Sequence, residues 1–530
     1  MGKASRRKQA LSSDVRKDEK GHPAAPAPPR GEGFFTRSTG YLLLIGIVGF
    51  LAYSNTFKGP FQWDEAEYIL NNPVIRDLGY FLSPSKVEGS WLYYILKSRY
   101  IGYLTFALNY RLHGYDVFGY HIFNLAIHII NAILVYFLIL LTFRTPYFRG
   151  LGTRDQGPGK QDLPVPDFQS RVPNFFALAV ALLFVAHPLQ TEAVTYVFQR
   201  LASLMSLFYL LSVVLYIKGR LSAISSQQSA ENSRFTILWY VLSLLAAVLA
   251  MKTKENAFTL PVIIALYEFL FFTGQLKTRM LRLLPFFLTM LIIPMTIFGT
   301  GSSAGELMAQ IKDPQALGYQ ELSRGDYLFT QFRVVVTYIR LLLFPANQNI
   351  DYEYPLYHSL FDLPVLFSFF FLLALFGAAI WLLYRSRPWA RGHGQEDIKL
   401  STIHYSLFTI HCFCLIGFGI LWFFITLSVE SSVIPIPMVI NEYRIYLPSV
   451  GFFLALVAGL GLLLRQSSRF TIHDSRFMKV VAALFTVIIL ALASATFARN
   501  TLWKDKVSLW EDVVRKSPYS SRGYNNLGIA

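Results

Sequence analysis

The stretch GYHIFNLAIHIINAILVYFLILLTF, residues 119–143, contains no Asp, Glu, Lys or Arg. As an α-helix it would rise about 37 Å, which is more than the roughly 30 Å thickness of a bilayer's hydrocarbon core. Similar runs recur along the chain, which is 54% hydrophobic and only 15% charged, whereas soluble domains average about 25% charged residues. The sequence therefore predicts an all-α polytopic membrane protein.

The lengths of the apolar runs and the charges of the loops predict a topology. Basic loops are expected in the cytoplasm, and these are the N-terminal tail and 144–171, 217–234, 275–282, 385–399 and 465–479. The acidic or balanced loops 58–100, 188–193, 301–326, 346–362 and 429–442 then lie outside. This scheme predicts eleven spans, at about 40–57, 119–143, 173–187, 194–216, 236–251, 257–273, 283–300, 363–384, 403–428, 444–464 and 480–498. The first is interpreted as a retained signal anchor.

Residues 327–344 test this topology, because counting them as a span would invert every later loop. The inversion would place the arginine-rich loop 385–399 outside the cell. Arg333 and Arg340 would also lie within the bilayer, where an arginine is costly. We therefore predict an interfacial or re-entrant helix here, a cytoplasmic N-terminus and an external C-terminus.

Three domains are predicted from the composition. Residues 1–38 form a basic, Pro- and Ala-rich tail that is expected to be disordered, and residues 39–498 form the transmembrane domain. Residues 499–530 resemble the start of a tetratricopeptide repeat. From Asn500 the sequence reads NTLWKDKVSLWEDVVRKSPYSSRGYNNLGIA. Since one repeat cannot bury its own apolar face, we interpret the chain as a fragment of a longer protein, with a vestigial repeat as the alternative.

Charge and cysteine content exclude other classes of protein. The net charge is +16, but the cations lie mostly in short loops, which favours membrane topology over nucleic-acid binding. The two cysteines, Cys412 and Cys414, lie inside an apolar run. They therefore predict neither a disulfide framework nor a metal site.

Charged residues cluster in four of the predicted external loops. FQWDEAEYILNNP, residues 61–73, brings three carboxylates together behind a tryptophan. The other clusters are AHPLQTEAVTYVFQR, MKTKENAF and NEYRIYLPSVGF, which begin at Ala186, Met251 and Asn441. Each alone could be a helix cap or a solvated turn. Together they favour one polar, outward-facing cavity, and its cations suit a lipid-linked phosphate.

These motifs, with SRYIGYLTFALNYRLHGYDVFGYHIFNLAIHIINA at 98–132, resemble the transmembrane and tetratricopeptide-repeat-containing (TMTC-like) proteins. That family belongs to the GT-C superfamily of polyprenyl-phosphate-sugar-dependent glycosyltransferases, which includes the protein O-mannosyltransferases. The resemblance covers about residues 40–530 and implies a GT-C-type bundle. The family often has Arg-Pro-Leu where this chain has Arg99-Tyr100-Ile101, so the arginine is kept and the proline is lost.

The resemblance implies transfer of a sugar from a polyprenyl- or dolichyl-phosphate donor to a hydroxyl of a secreted or membrane protein, on the external face. It implies Asp64 as the catalytic base or as a group that orients the acceptor, with Glu65 second. It also implies donor-phosphate binding by Arg99, Arg200, Lys254 and Arg444, supported by His187, Glu192, Glu255, Glu442 and Tyr446. A divalent metal, Mg or Mn, held by Asp64 or Glu65 is left open.

Two other functions share these features. A transporter or flippase of lipid-linked glycans would need the cavity and the cations but no base. A membrane-anchored scaffold would use the repeats to bind a protein partner and leave the membrane part idle. The basic start, MGKASRRK, and the short loops favour a bacterial inner membrane, with the endoplasmic reticulum membrane as the alternative.

Overall fold

The computed structural model describes residues 34–88, 90–153, 168–225, 231–298, 322–387, 400–436, 438–466 and 475–530. The chain divides into two compact units, Met1–Leu44 and Ile45–Ala530. Most of the predicted disordered tail, 1–38, lies outside the described residues.

Helices account for all regular structure in the described residues, where no strand occurs. In chain order they are α1 Phe34–Tyr53, α2 Gly79–Leu82, α3 Trp91–Ser98, α4 Tyr100–His113, α5 Val117–Thr142, α6 Pro146–Thr153, α7 Phe168–Ala186, α8 Thr191–Val194, α9 Arg200–Ser225, α10 Glu231–Met251, α11 Leu260–Phe271, α12 Leu276–Thr289, α13 Ile292–Phe298, α14 Arg324–Leu343, α15 Leu363–Arg385, α16 Leu400–Leu427, α17 Pro448–Gln466, α18 Ser475–Asn500, α19 Lys506–Lys516 and α20 Ser521–Ile529. The predicted all-α class is confirmed.

Seven helical segments in the described residues are long and apolar enough to cross a membrane. They are Val117–Thr142, Val197–Ile224, Arg234–Met251, Leu276–Thr296, Leu363–Arg385, Leu407–Leu427 and Lys479–Lys504. An eighth candidate is the pair Val172–Ala186 and Pro188–Val194, which is bent by 55° at His187. The protein is therefore a multi-pass membrane protein.

The sequence predicts eleven spans, whereas seven or eight helical segments in the described residues are long and apolar enough to be spans. The predicted spans 40–57 and 444–464 contain the shorter apolar helices Thr39–Tyr53 and Pro448–Leu464. The span predicted at 257–273 was wrong in extent, because its α-helix, Leu260–Phe271, has only 12 residues. Such a helix rises about 18 Å, which is short of the hydrocarbon core.

Helix α14 corresponds to the disputed segment 327–344 and is not among the candidate spans. The Tyr327 hydroxyl near its start donates to the Glu430 carbonyl at 2.5 Å. Near its end, the Leu342 carbonyl accepts from His187 Nε2 at 3.2 Å. Both ends of α14 thus contact connections between other helices, and its interfacial or re-entrant placement stays a prediction.

A shared apolar core joins the loop after α1 to the C-terminal helices. It contains Phe61 and Ile69 from the loop, and Leu509, Trp510 and Val513 from α19. The rings of Trp63 and Trp510 meet edge to face with centroids 5.6 Å apart. The helices α19 and α20 therefore cover the loop that carries the acidic motif. One helical hairpin is all that the start of a repeat requires, and the repeat itself stays a prediction.

Candidate functional site

A tight turn presents the two acids of the motif in different directions. The Glu65 N–H donates to the Gln62 carbonyl at 2.9 Å, and Trp63 between them has a φ of 41°. This left-handed backbone is unfavourable for a bulky residue and costs about 1–3 kcal/mol. The packing of Trp63 against Trp510 holds the turn in place.

Glu65 points inward and is tied to the backbone. It is 1% exposed, and its carboxylate accepts from Gln62 N at 2.6 Å and from Phe198 N at 2.8 Å. Burial raises the pKa of Glu65 to about 8, although these N–H groups act in the opposite sense. Glu65 therefore fastens the loop to the start of the helix that follows Phe198, and its predicted catalytic role has no support in this geometry.

Asp64 is half-buried and faces other polar side chains. Burial raises the pKa of its carboxyl to about 6, as does the neighbouring Glu67 carboxylate. The Tyr196 hydroxyl and the Arg522 guanidinium favour ionisation and limit the rise. Asp64 is therefore a carboxylate at neutral pH that takes up a proton close to pH 6.

Arg99 and Glu255 form a paired, partly exposed site beside the acidic loop. Arg99 Nε and Nη2 donate to the two Glu255 carboxylate oxygens, each at 3.1 Å. The pair forms because the Ile101 N–H donates to the Lys252 carbonyl at 3.0 Å, which joins the start of α4 to the turn after α10. The Arg99 side chain keeps 31% of its surface exposed, so a ligand can reach it.

Lys252 adds a second cation to this place. Its ammonium donates to the Thr296 hydroxyl at 2.8 Å and to the Lys97 carbonyl at 3.4 Å. Burial lowers the pKa of Lys252, and the nearby Lys97 ammonium lowers it further. The group of Lys97, Arg99, Lys252 and Glu255 therefore carries an excess of positive charge, which favours an anion.

Lys254 and Arg444 lie in a second, enclosed cluster around Glu430. Lys254 Nζ donates to Glu430 Oε1 at 2.8 Å and lies 4.4 Å from the centre of the Tyr443 ring. Arg444 donates to the Val439 carbonyl at 3.1 Å. Burial opposes ionisation of Glu430, but Lys254 and Arg444 together lower its pKa. Glu430 thus pairs with Lys254, whereas backbone carbonyls hold Arg444, and the phosphate-binding role of both cations stays a prediction.

Arg200 does not lie where a ligand could bind. It is 0% exposed and donates to Asn124 Oδ1 and Asn109 Oδ1, each at 2.6 Å, and to the carbonyls of Tyr120 and Thr105. The Phe106 and Phe123 rings lie 4.5 and 4.7 Å from its guanidinium carbon. Arg200 joins α4, α5 and α9, and this geometry does not support its predicted phosphate role.

The five residues predicted to support the cations prove to hold the connections together. His187 bonds to the Leu342 carbonyl and to Leu189 N, and Tyr446 bonds to His128 and Asn131. Glu192 accepts from Tyr443 N at 2.9 Å. Glu442 accepts from Gln348, from Asn349 N and from the Tyr352 hydroxyl at 2.6–2.8 Å. Of the five, only Glu255 binds one of the predicted phosphate-binding cations.

The acidic motif does not fit a divalent metal. Glu65 has both carboxylate oxygens engaged by backbone N–H groups. No group of three His, Cys, Asp or Glu side chains that could hold a metal ion occurs in the part of the chain that the structure describes. No chemical step is therefore derived through a metal.

The sequence did not single out three residues that complete the site. Arg522, from α20, lies near Asp64 and binds Asp351 at 3.4 Å. Tyr196 lies beside Asp64, and Glu430 holds Lys254. Glu430 lies in a loop predicted to be external and Tyr196 lies within a quoted motif, so both had a weak signal. Nothing near Arg522 in the sequence indicates its position.

Comparisons with known proteins agree with the motifs. Protein O-mannosyl-transferase TMTC4 of Mus musculus is 24% identical over 528 residues, which cover 92% of this chain and 63% of the relative. The resemblance to the TMTC proteins is confirmed. Protein O-mannosyl-transferase F38B6.6 of Caenorhabditis elegans is 24% identical over 508 residues, covering 92% of this chain and 59% of its own length. The chain thus spans less than two thirds of these relatives, and no protein-family model matches it.

A solved structure was also compared. Crystalline ArnT from Cupriavidus metallidurans, bound to undecaprenyl phosphate, is 14% identical to this chain. The match covers 80% of this chain and 77% of ArnT, with a TM-score of 0.33. A TM-score this low does not establish a shared fold.

Proposed function

We propose that the protein is a GT-C-type glycosyltransferase, which moves a hexose from a polyprenyl-phosphate donor to a serine or threonine hydroxyl of a secreted or membrane protein. The observation that carries the proposal is the half-buried Asp64 with a pKa near 6, beside Tyr196 and Arg522. The relatives named protein O-mannosyl-transferase, which match 92% of the chain, support the reaction class.

Asp64 acts as the general base in this proposal. The acceptor hydroxyl attacks the anomeric carbon, its proton passes to Asp64, and the bond from the anomeric carbon to the phosphate oxygen breaks. A base with a pKa somewhat below the working pH is ionised yet still accepts a proton effectively. The strained turn at Trp63 keeps the carboxylate fixed, so its position does not have to be organised during the reaction.

Arg99 and Lys252 bind the leaving phosphate. Lipid phosphate gains negative charge as it departs, and cations fixed in place stabilise that charge. Arg99 already makes a bidentate contact with the Glu255 carboxylate, and phosphate has a matching geometry. Glu255 therefore holds the guanidinium in position while an exposed face of Arg99 remains for the donor.

The proposal includes the topology. Residues 1–38 lie in the cytoplasm, the domain of 39–498 crosses the membrane, and residues 499–530 begin an external repeat region that meets a protein partner. Asp64 then faces the outside of a bacterial inner membrane, or the lumen if the membrane is that of the endoplasmic reticulum. A reporter fused after Ala530 tests this and is expected to report an external location.

A transfer assay tests the function. The full chain is reconstituted in vesicles with radiolabelled polyprenyl-phosphate mannose and a peptide rich in serine and threonine. Asp64→Asn should reduce transfer by about 10²–10⁴-fold, with an unchanged unfolding temperature. Glu67→Gln is the matched control, because Glu67 is an exposed acid in the same turn, and it should stay within about threefold of the unsubstituted protein.

Two other outcomes would overturn the proposal. Movement of the labelled lipid between leaflets without transfer to peptide would identify a flippase. Donor binding without either activity would favour a scaffold. If transfer occurs and survives Asp64→Asn, the reaction class stands and the assignment of the base is wrong.

A further inference from the structure

A cleft of about 630 Å³ opens beside the acidic motif. One wall is the segment Asp351–Tyr354 together with Leu356, and a second wall is Met438–Ile440. The third wall is the start of α20, from Tyr519 to Arg522, together with Asn525. Its volume lies within the range of about 300–1,000 Å³ typical of ligand pockets, and the proposed reaction assigns no occupant to it.

The first wall can pair with a polypeptide backbone. Residues 352–358 form no helix or strand. The Asp351 carbonyl accepts from the Ser517 hydroxyl at 3.2 Å. No donor to the carbonyls of residues 352–358 occurs within the described residues, and such carbonyls can accept hydrogen bonds from the backbone of a bound peptide.

The side chains of the cleft suit the same occupant. Tyr352, Tyr354 and Tyr519 line it, with Glu353 and Asn525 beside them. Tyrosines supply apolar contact area together with a hydroxyl, a combination enriched where proteins bind other proteins. A lipid chain would instead need a continuous apolar wall, so these residues favour a polar chain.

The cleft reaches the proposed base through one residue. Arg522 lines the cleft, binds Asp351 and lies close to Asp64. A chain lying in the cleft would thus contact Arg522, which lies between the cleft and the proposed base, Asp64.

We propose that this cleft binds the acceptor polypeptide as an extended segment and directs its hydroxyl side chain past Arg522 to Asp64. This inference rests on the proposed glycosyltransferase function, because it names the place of the acceptor in that reaction. It also explains why the helices after α18 cover the acidic loop, since α20 forms one wall of the binding site.

Direct binding of a peptide tests the inference without any transfer. A fluorescein-labelled peptide rich in serine and threonine is titrated into the detergent-solubilised full chain carrying Asp64→Asn, and fluorescence anisotropy is measured. Tyr519→Ala should weaken binding about tenfold, as expected for loss of an aromatic contact. The Tyr519 side chain is 85% exposed, and the hydrogen bond to Glu353 uses its backbone N–H, so the fold should survive.

Tyr524→Ala is the matched control. Tyr524 is a 52% exposed tyrosine of α20, five residues after Tyr519, and it does not line the cleft. Binding should be unchanged in this variant. In the active protein, Tyr519→Ala should raise the acceptor KM about tenfold with little change in the donor KM.

Equal effects of Tyr519→Ala and Tyr524→Ala, or no effect of either, would overturn the inference. Displacement of the peptide by vesicles containing polyprenyl phosphate would also overturn it, by assigning the cleft to the lipid. Because peptide binding is measured without a donor, failure of the cleft to bind peptide can be distinguished from absence of transfer activity.

Discussion

Charged residues of the same sequence motifs occupy two different environments at this end of the bundle. The closed environment holds Arg200 and Glu65, whose polar atoms bind Asn side chains, backbone carbonyls and backbone N–H groups. The open environment holds Asp64 and Arg99, which are partly exposed and face other charged side chains. Asp64 and Glu65 are adjacent in the chain, yet one lies in each environment.

This difference separates residues that hold the fold from residues that can meet a substrate. A buried charge satisfied by fixed protein groups has no capacity left for a ligand, and its removal leaves those groups unpaired. A half-buried charge with a mobile or charged neighbour can exchange that neighbour for a ligand. Substitutions in the closed set should therefore change stability, and those in the open set should change activity.

The largest effect on stability is expected for Arg200→Met. Methionine keeps the apolar contacts with Phe106 and Phe123 but leaves the carbonyl oxygens of Asn109 and Asn124 without donors. The free energy of unfolding should fall by about 1–3 kcal/mol for each buried acceptor left without a donor. Thermal unfolding in detergent measures the loss.

Arg111→Met is the control for this prediction. Arg111 is an exposed arginine near the end of α4, and its replacement should change stability by less than about 0.5 kcal/mol. A normal unfolding temperature for Arg200→Met, together with a raised donor KM, would contradict this prediction and would support Arg200 as a ligand of the donor phosphate.

Arg99→Gln should weaken binding of the donor by about tenfold or more. Glutamine removes the charge and the bidentate geometry that Arg99 offers to a carboxylate or a phosphate. Arg99→Lys should recover part of the loss, because the charge returns without the planar fork. The measurement is the donor KM in the transfer assay, with Arg111→Gln as control. An unchanged donor KM in Arg99→Gln would exclude the arginine from the phosphate site.

The smallest expected effect is a shift in the pH dependence of kcat/KM when Arg522 is replaced. Asp64 has its pKa raised to about 6, so kcat/KM should be constant above pH 7 and fall up to tenfold per unit below pH 6. Arg522 favours the ionised carboxylate. Arg522→Gln should therefore raise the pKa of Asp64 and move the acid limb of the profile to higher pH. A limb that stays in place would mean that Asp64 does not control the profile.

Much of the fold could be predicted because membrane spans follow from length and composition. Runs such as 119–143 and 363–384 became the helices Val117–Thr142 and Leu363–Arg385. The segment 257–273 misled the count, since its apolar length is divided between a 3₁₀ turn, Glu255–Thr259, and a short α-helix. Hydropathy averages over such a change in backbone and does not detect it.

The candidate site could be predicted only as a set of converging loops. Local sequence shows that Asp64, Glu65, Arg99 and Arg200 are charged, but it does not show which backbone groups will lie opposite them. Glu65 became structural because Phe198, 133 residues away, donates to it. Arg522 entered the site because α19 and α20 fold back over the acidic loop. Both facts depend on tertiary packing.

Parallel measurements on Asp64→Asn and Glu65→Gln test the central claim most directly, with transfer rate and unfolding temperature recorded for each. The account predicts that Asp64→Asn loses transfer at normal stability. Glu65→Gln should lose about 1–3 kcal/mol of stability, because an amide NH₂ then faces a backbone N–H, while the folded protein retains its transfer rate. Loss of transfer at normal stability in Glu65→Gln, with an active Asp64→Asn, would contradict the account.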